Sequence, residues 1–357
     1  MLLSMVAVLE LVFQSYFALK NQPAEYHNPR ISIANYKGVE WADAYWREHF
    51  TRRFEYDSYV GWRGIAFKGT HLNIDDHGYR VTLNSMEPSD DIREVAFLGG
   101  STMWGEGSND ANTIPSLFAG MVDSAHVRNL GQWAFTARQS LISLQQEIAQ
   151  GYRPDWVISY DGVNDAPYGR RSFANKREEQ IRIALKGADR NSLPFLWATK
   201  RFARALMMIF SGDEDKLPDR YLVDEAKSLE CARDVLESWL SLKATCDAYG
   251  TNLLVILQPN AGVGQPNLSN LKNFGKGFLE DGKAETTARY YDQIKSLLQN
   301  DRYDVLLPHF IDLTSAFDEV PNVYLDFCHV SPNGNAIIAE EVRLRLNKMN
   351  TEQNATD

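Results

Sequence analysis

A serine preceded by two glycines, Gly99-Gly100-Ser101, closes the short apolar run EVAFLG over 94–99. Small residues at such a turn expose a hydroxyl, and glycine on its amino side leaves room for a substrate carbonyl over Oγ. Near the other end of the chain Asp326 and His329 stand three apart in DFCHVSPNG, a spacing that one turn folds into contact. A carboxylate accepting from Nδ1 fixes the tautomer in which Nε2 takes a serine proton, and it supports the imidazolium that results. Between these two segments the run DWVISY ends in Asp161-Gly162-Val163-Asn164-Asp165. Asn164 offers an uncharged amide donor, and losing one oxyanion donor typically costs ~3–4 kcal/mol of barrier.

Each segment also has a plainer reading. Glycine-rich loops after first strands cradle phosphates, Asn164 and Asp165 suit a loop-to-helix cap, and Asp326, Ser331 and Asn333 suit the cap of a final helix. Against the phosphate reading, GxxxxGK[ST] is missing, and glycines at 99, 100, 105 and 107 do not have GxGxxG spacing. Cys328 offers a thiol as rival nucleophile, but adjacent side chains on an extended segment point opposite ways. What joins the three segments is chain order: all of them follow strands, on one rim of the sheet they imply.

That sheet is read from short apolar runs, EVAFLG (94–99), HVRNL (126–130), DWVISY (155–160), NLLVIL (252–257) and DVLLPHFIDL (304–313). They alternate with IPSLFAGMV, ARQSLISLQQEIAQ, DEAKSLECARDVLESWLSLKATCDAYG and ARYYDQIKSLLQ, whose apolar residues recur at three and four. Strand-helix alternation predicts a doubly wound α/β fold with right-handed crossovers and ligands bound beyond the carboxyl ends of the strands. A helix start is expected near Asn112 or Thr113, with Pro115 in the first turn. Residues 21–91, rich in Trp, Tyr, Arg and Gly, predict short strands and turns packed on this domain, with Asp75-Asp76-His77-Gly78 as one turn. The main domain is expected over 92–348, with a helical insertion at 169–220 and a polar tail at 349–357. Gly169 to Arg204 carries a local charge of +7, which reads either as a solvated helix face or as a basic wall for anions or lipid headgroups.

The net charge of -10 disfavours broad nucleic-acid binding. Cys231, Cys246 and Cys328 form no CxxC pair and no disulfide framework, and one disulfide at most is open to them. The seven histidines, His27, His49, His71, His77, His126, His309 and His329, lack HExxH or similar spacing, so no metal is expected and the chemistry requires no organic cofactor. Met1 to Leu19 is apolar over about the ~20 residues a membrane helix needs, though Glu10 and Gln14 interrupt it. It reads as an anchor (1–20 with its flank) or as an amphipathic helix on the domain. An anchor places the catalytic domain outside the cytoplasm, while Lys20, Arg30 and Lys37 pull the other way; without an anchor the protein is expected in the cytoplasm.

Taken in order, GGSTMWGEG, NLGQWAFTA, DGVND and DFCHVSPNG resemble the four blocks of the SGNH, or GDSL-like, hydrolase superfamily, over roughly Glu94 to Leu346. The resemblance implies the flavodoxin-like five-stranded sheet of that superfamily. It also implies a Ser-His-Asp triad of Ser101, His329 and Asp326, with an oxyanion hole from the Ser101 amide, Ala134 and the Asn164 side chain. Two positions depart from the pattern. Gly100 stands where the familiar form has Asp, and Ala134 stands where it has glycine; a positive φ there implies strain. HLNIDDHGYR resembles the lead-in of bacterial, often membrane-anchored, members linked to surface polysaccharides. The implied function is a serine esterase acting on small-molecule or glycan esters, with carbohydrate O-acetyl groups as preferred substrates and the amino-terminal aromatics either stacking on sugars or forming core. The alternatives are an O-acetyltransferase with the same triad and a non-catalytic glycan-binding protein that keeps the fold.

Overall fold

The computed structural model describes residues 31, 33–167, 225–271 and 282–354, all within one compact unit. The expected anchor at 1–20 and the expected insertion at 169–220 lie outside the described residues. Among the described residues no helix is long and apolar enough to cross a membrane.

The centre is a parallel sheet of β5 (Arg93–Gly99), β6 (Ala125–Asn129), β7 (Trp156–Asp161), β8 (Asn252–Leu257) and β9 (Phe310–Asp312), in the order β6-β5-β7-β8-β9. This is the expected flavodoxin-like order, in which the first strand pairs on both sides: Val95 lies beside Val127 and beside Trp156. Alternation along the strands sorts the core into two layers. Ala96, Leu98, Val157, Leu253 and Val255 face α4 (Ala137–Ala149), α5 (Glu225–Ala248) and α6 (Lys283–Leu297), where Leu144, Trp239 and Ile294 are wholly buried. Val95, Phe97, Ile158, Leu254 and Ile256 face α3 (Ile114–Ala119) and α7 (Pro332–Asn354).

Capping fixes where these helices begin. Thr113 accepts from the Ser116 amide with Pro115 in the first turn of α3, and Thr136 and Gln139 form a capping box on α4. The fifth run is shorter than expected. Asp304–His309 winds into a 3-10 helix containing Pro308, which has no amide hydrogen for a ladder, and only Phe310–Asp312 pairs. At the carboxyl end α7 runs to Asn354 and buries Met349, so the stretch expected as a polar tail from 349 begins inside a helix.

Residues 33–91 form α1 (Ala42–Thr51) and two antiparallel pairs, β1 (Phe54–Asp57) with β2 (Gly61–Gly64) and β3 (Phe67–Lys68) with β4 (Asn73–Ile74). The Asp75 turn forms as expected: its side chain accepts from the amides of His77 and Tyr79, and Gly78 takes φ +82. Arg80 then bridges to Asn129 at the outer edge of β6.

Candidate active site

β5 ends in Gly99 at φ +153, where a Cβ would sit 2.7 Å from the Tyr160 carbonyl, so only glycine lets the chain leave the sheet there. Gly100 follows, and Ser101 opens the short helix α2 (Ser101–Trp104), closed by Gly105 in left-handed backbone. The Ser101 hydroxyl donates to His329 Nε2 at 2.7 Å, and His329 Nδ1 donates to Asp326 Oδ2 at 2.8 Å, in the tautomer that satisfies both bonds. The other Asp326 oxygen accepts the amides of Cys328 and His329 at 3.0 and 2.8 Å. Asp326 therefore orients the imidazole rather than capping α7.

Burial alone pulls the His329 pKa down, but Asp326, and after it Cys328 and Glu106, outweigh that, and it stands well above the usual histidine value. The Cys328 thiol, with Sγ 3.7 Å from His329 Nδ1, is pushed up to about 11 by burial; buried and protonated, it is a poor nucleophile. All three cysteines are free and buried.

The remaining expected residues gather at Gly100. Asn164 Nδ2 donates to the Phe135 carbonyl at 2.8 Å, and this leaves one hydrogen of its amide for a substrate oxygen. A Cβ on Gly100 would lie 2.2 Å from that nitrogen and 3.3 Å from the Phe135 carbonyl. Gly100 therefore admits the amide against the backbone next to Ser101. Ala134, one residue before Phe135, is buried at φ +62. The site does demand positive φ, and alanine carries the strain expected for it. Asp165 serves the scaffold instead, since both its oxygens accept the Ala137 amide at the start of α4.

Reading the blocks did not single out Glu106. Its side chain is 5% exposed, its Oε2 lies 3.5 Å from His329 Nε2 and accepts from Trp133 Nε1, and its Oε1 lies 3.9 Å from His49 Nε2. An acid between two glycines directly after the Ser101 turn was the available signal, since Gly105 and Gly107 take φ +95 and +94. Tyr45 Oη donates to the Gly105 carbonyl and accepts the Gly107 amide, while Tyr36 Oη donates to the Gly107 carbonyl. Arg80, 1% exposed, pairs with Asp110 at 2.9 Å and donates to the carbonyls of Gly105 and Ser108.

The aromatics of the amino-terminal segment divide between buried and exposed positions. Tyr45, Trp46 and Trp62 are core, whereas Phe50, Tyr56 and Tyr59 are exposed.

No family model and no curated protein matches the chain. Solved structures do. It is similar to a catalytic mutant of an acetylxylan esterase from Geobacillus stearothermophilus, at 15% identity and a TM-score of 0.39, over 71% of this chain and 93% of that one. It is also similar to a member of the lipolytic protein G-D-S-L family from Veillonella parvula, at 11% identity and a TM-score of 0.38, over 70% of this chain and 94% of that one.

Proposed function

We propose that this protein is a serine esterase of the SGNH type, in which Ser101 is the nucleophile, His329 the general base and Asp326 its orienting partner. One observation carries the reading: an unbroken hydrogen-bond chain from Ser101 Oγ through both nitrogens of His329 to Asp326, assembled from residues 228 positions apart. In the reaction Oγ attacks the ester carbonyl while its proton passes to Nε2. The negative charge on the carbonyl oxygen is taken by the amides of Ser101 and Ala134 and by Asn164 Nδ2. Nε2 then returns the proton to the leaving alcohol. Water enters by the same route reversed and frees the acid. Nothing in these steps uses a metal or an organic cofactor.

Carbohydrate O-acetyl esters are the proposed substrates. Supporting this are the resemblance of HLNIDDHGYR to polysaccharide-linked proteins and the exposed Tyr56 and Tyr59, apolar faces of the kind that stack on sugars. Residues 92–348 are the proposed catalytic domain, with 21–91 as its extension and 1–19 as an anchor holding the domain outside the cytoplasm. Fractionation of the full-length protein and of a form starting at Asn21 tests the anchor, which a soluble full-length form would refute.

The functional test is hydrolysis of p-nitrophenyl acetate, butyrate and octanoate by the wild type, Ser101→Ala and His329→Ala. Activity lost by about three orders of magnitude or more in both variants is the expected result. A folded wild type that neither hydrolyses these esters nor reacts with a fluorophosphonate at Ser101 would overturn the proposal. Transfer of acetyl to a glycan with negligible hydrolysis would replace it with the transferase reading.

A further inference from the structure

We infer that Glu106 is a positioning residue for the proposed reaction, a second carboxylate that faces His329 Nε2 while Asp326 holds Nδ1. The inference rests on the esterase reading above. Its basis is geometric. Glu106 Oε2 lies 3.5 Å from Nε2, beside the atom that takes the proton from Ser101 Oγ.

The surroundings aim this carboxylate. Trp133 Nε1 donates to Oε2, and the Glu106 amide donates to the Ser101 carbonyl at 2.9 Å, tying the acid to the nucleophile's own backbone. Tyr45, Tyr36 and Arg80 grip the flanking glycines and Ser108. Residues 33–91 thus brace the backbone on both sides of Glu106.

During acyl transfer the proton moves from Oγ to Nε2 and then to the leaving oxygen, and Glu106 neither gains nor loses one. Its charge favours the imidazolium in between. The same charge favours the protonated, inactive histidine at rest. The groups facing His329 are Asp326 and Cys328 from its own loop, Ser101 from α2, and Glu106; behind Glu106 stand His49, Arg52 and Tyr45 from α1 and its end. Arg52, stacked over the rings of Phe54, Trp104 and Trp133, balances part of the acid's charge.

Removing the charge should therefore have two opposite effects. The acidic midpoint of the rate falls, because neutral His329 persists to lower pH. The alkaline plateau also falls, because the imidazolium in the transition state loses a partner.

The experiment measures kcat/KM for p-nitrophenyl acetate, and separately the rate of fluorophosphonate labelling of Ser101, from pH 5 to 10 in the wild type and Glu106→Gln. The amide keeps an acceptor for Trp133. We expect the midpoint to drop by about one pH unit and the plateau by roughly tenfold, so the two profiles converge or cross at low pH. Should Glu106→Gln not fold, Glu106→Asp withdraws the carboxylate by one methylene, and a midpoint lowered by a few tenths of a unit is the corresponding result. A midpoint unchanged in the folded variant overturns the inference, even if the rate falls, since a purely structural role lowers rate without moving it. Failure to label wild-type Ser101 removes the esterase reading and this inference with it; labelling with an unmoved midpoint removes this inference alone.

Discussion

Gly100 and Ala134 are the two departures from the resembled pattern, and the structure gives them opposite consequences. At Gly100 the missing side chain is required, because a Cβ would meet Asn164 Nδ2 at 2.2 Å. Restoring the familiar acid with Gly100→Asp should displace that donor and cut kcat by ~10²-fold, the usual effect of losing one oxyanion donor, and should also lower the denaturation midpoint, because the Phe135 carbonyl loses its partner and a carboxylate is buried beside it. Steady-state kinetics beside a melt separate the two effects. At Ala134 the side chain is a burden, because φ is +62. Ala134→Gly should raise stability by ~0.5–1 kcal/mol, since the relief of left-handed strain exceeds the extra chain entropy of glycine. Urea denaturation checks this, and a less stable variant would contradict the strain argument.

Among the elements, the loop joining α2 to α3 shows why short segments need support from distant ones. It has no ladder of its own, and its carbonyls at 105 and 108 are taken up by the buried Arg80. Asn335 at the start of α7 donates to Ser108 Oγ and to the Asn112 carbonyl from the other side. Arg80→Ala leaves Asp110 buried without its cation and should cost about 3–5 kcal/mol, read from denaturant unfolding. Arg80→Ala with Asp110→Asn should recover part of that loss, because no charge is then stranded. β9 makes the converse point. Its apolar run of ten residues has strand composition, but Pro308 confines pairing to three of them.

At the scale of the whole molecule, the sheet end beneath the site stores a pH dependence. Asp161 is wholly buried at the tip of β7, with Oδ2 accepting from Ser159 Oγ and Trp239 Nε1, and with Oδ1 unpartnered. Burial raises its pKa to about 6, against which those two bonds act in the lowering direction. A carboxyl whose folded pKa exceeds its unfolded value binds more protons in the native state. Its contribution is greatest below about pH 4 and is lost as the pH rises through about 6. Relative to Asp161→Asn, the wild type should thus lose on the order of 2 kcal/mol between pH 4 and pH 8. Urea denaturation of both proteins at the two pH values measures it, and parallel pH profiles would refute it.

How far the fold and site were legible without coordinates depends on which interactions are local. Four of the five strands, the helix start at Thr113 and the Asp75 turn follow from period, caps and turn residues within a few positions. Ser101, Asn164, Asp326 and His329 were nameable because strand ends share one rim in a doubly wound sheet, whatever the packing details. The need for Gly100, the burial of Arg80 and the approach of Glu106 to His329 were not nameable in this way. Each depends on atoms brought within about 4 Å from segments tens to hundreds of residues apart. Hydrophobic pattern dictates which face of an element turns inward. It does not dictate which polar side chain meets which across the closed core, and that was decided only by the packing of residues 33–91 and of α7 around the loop after Ser101.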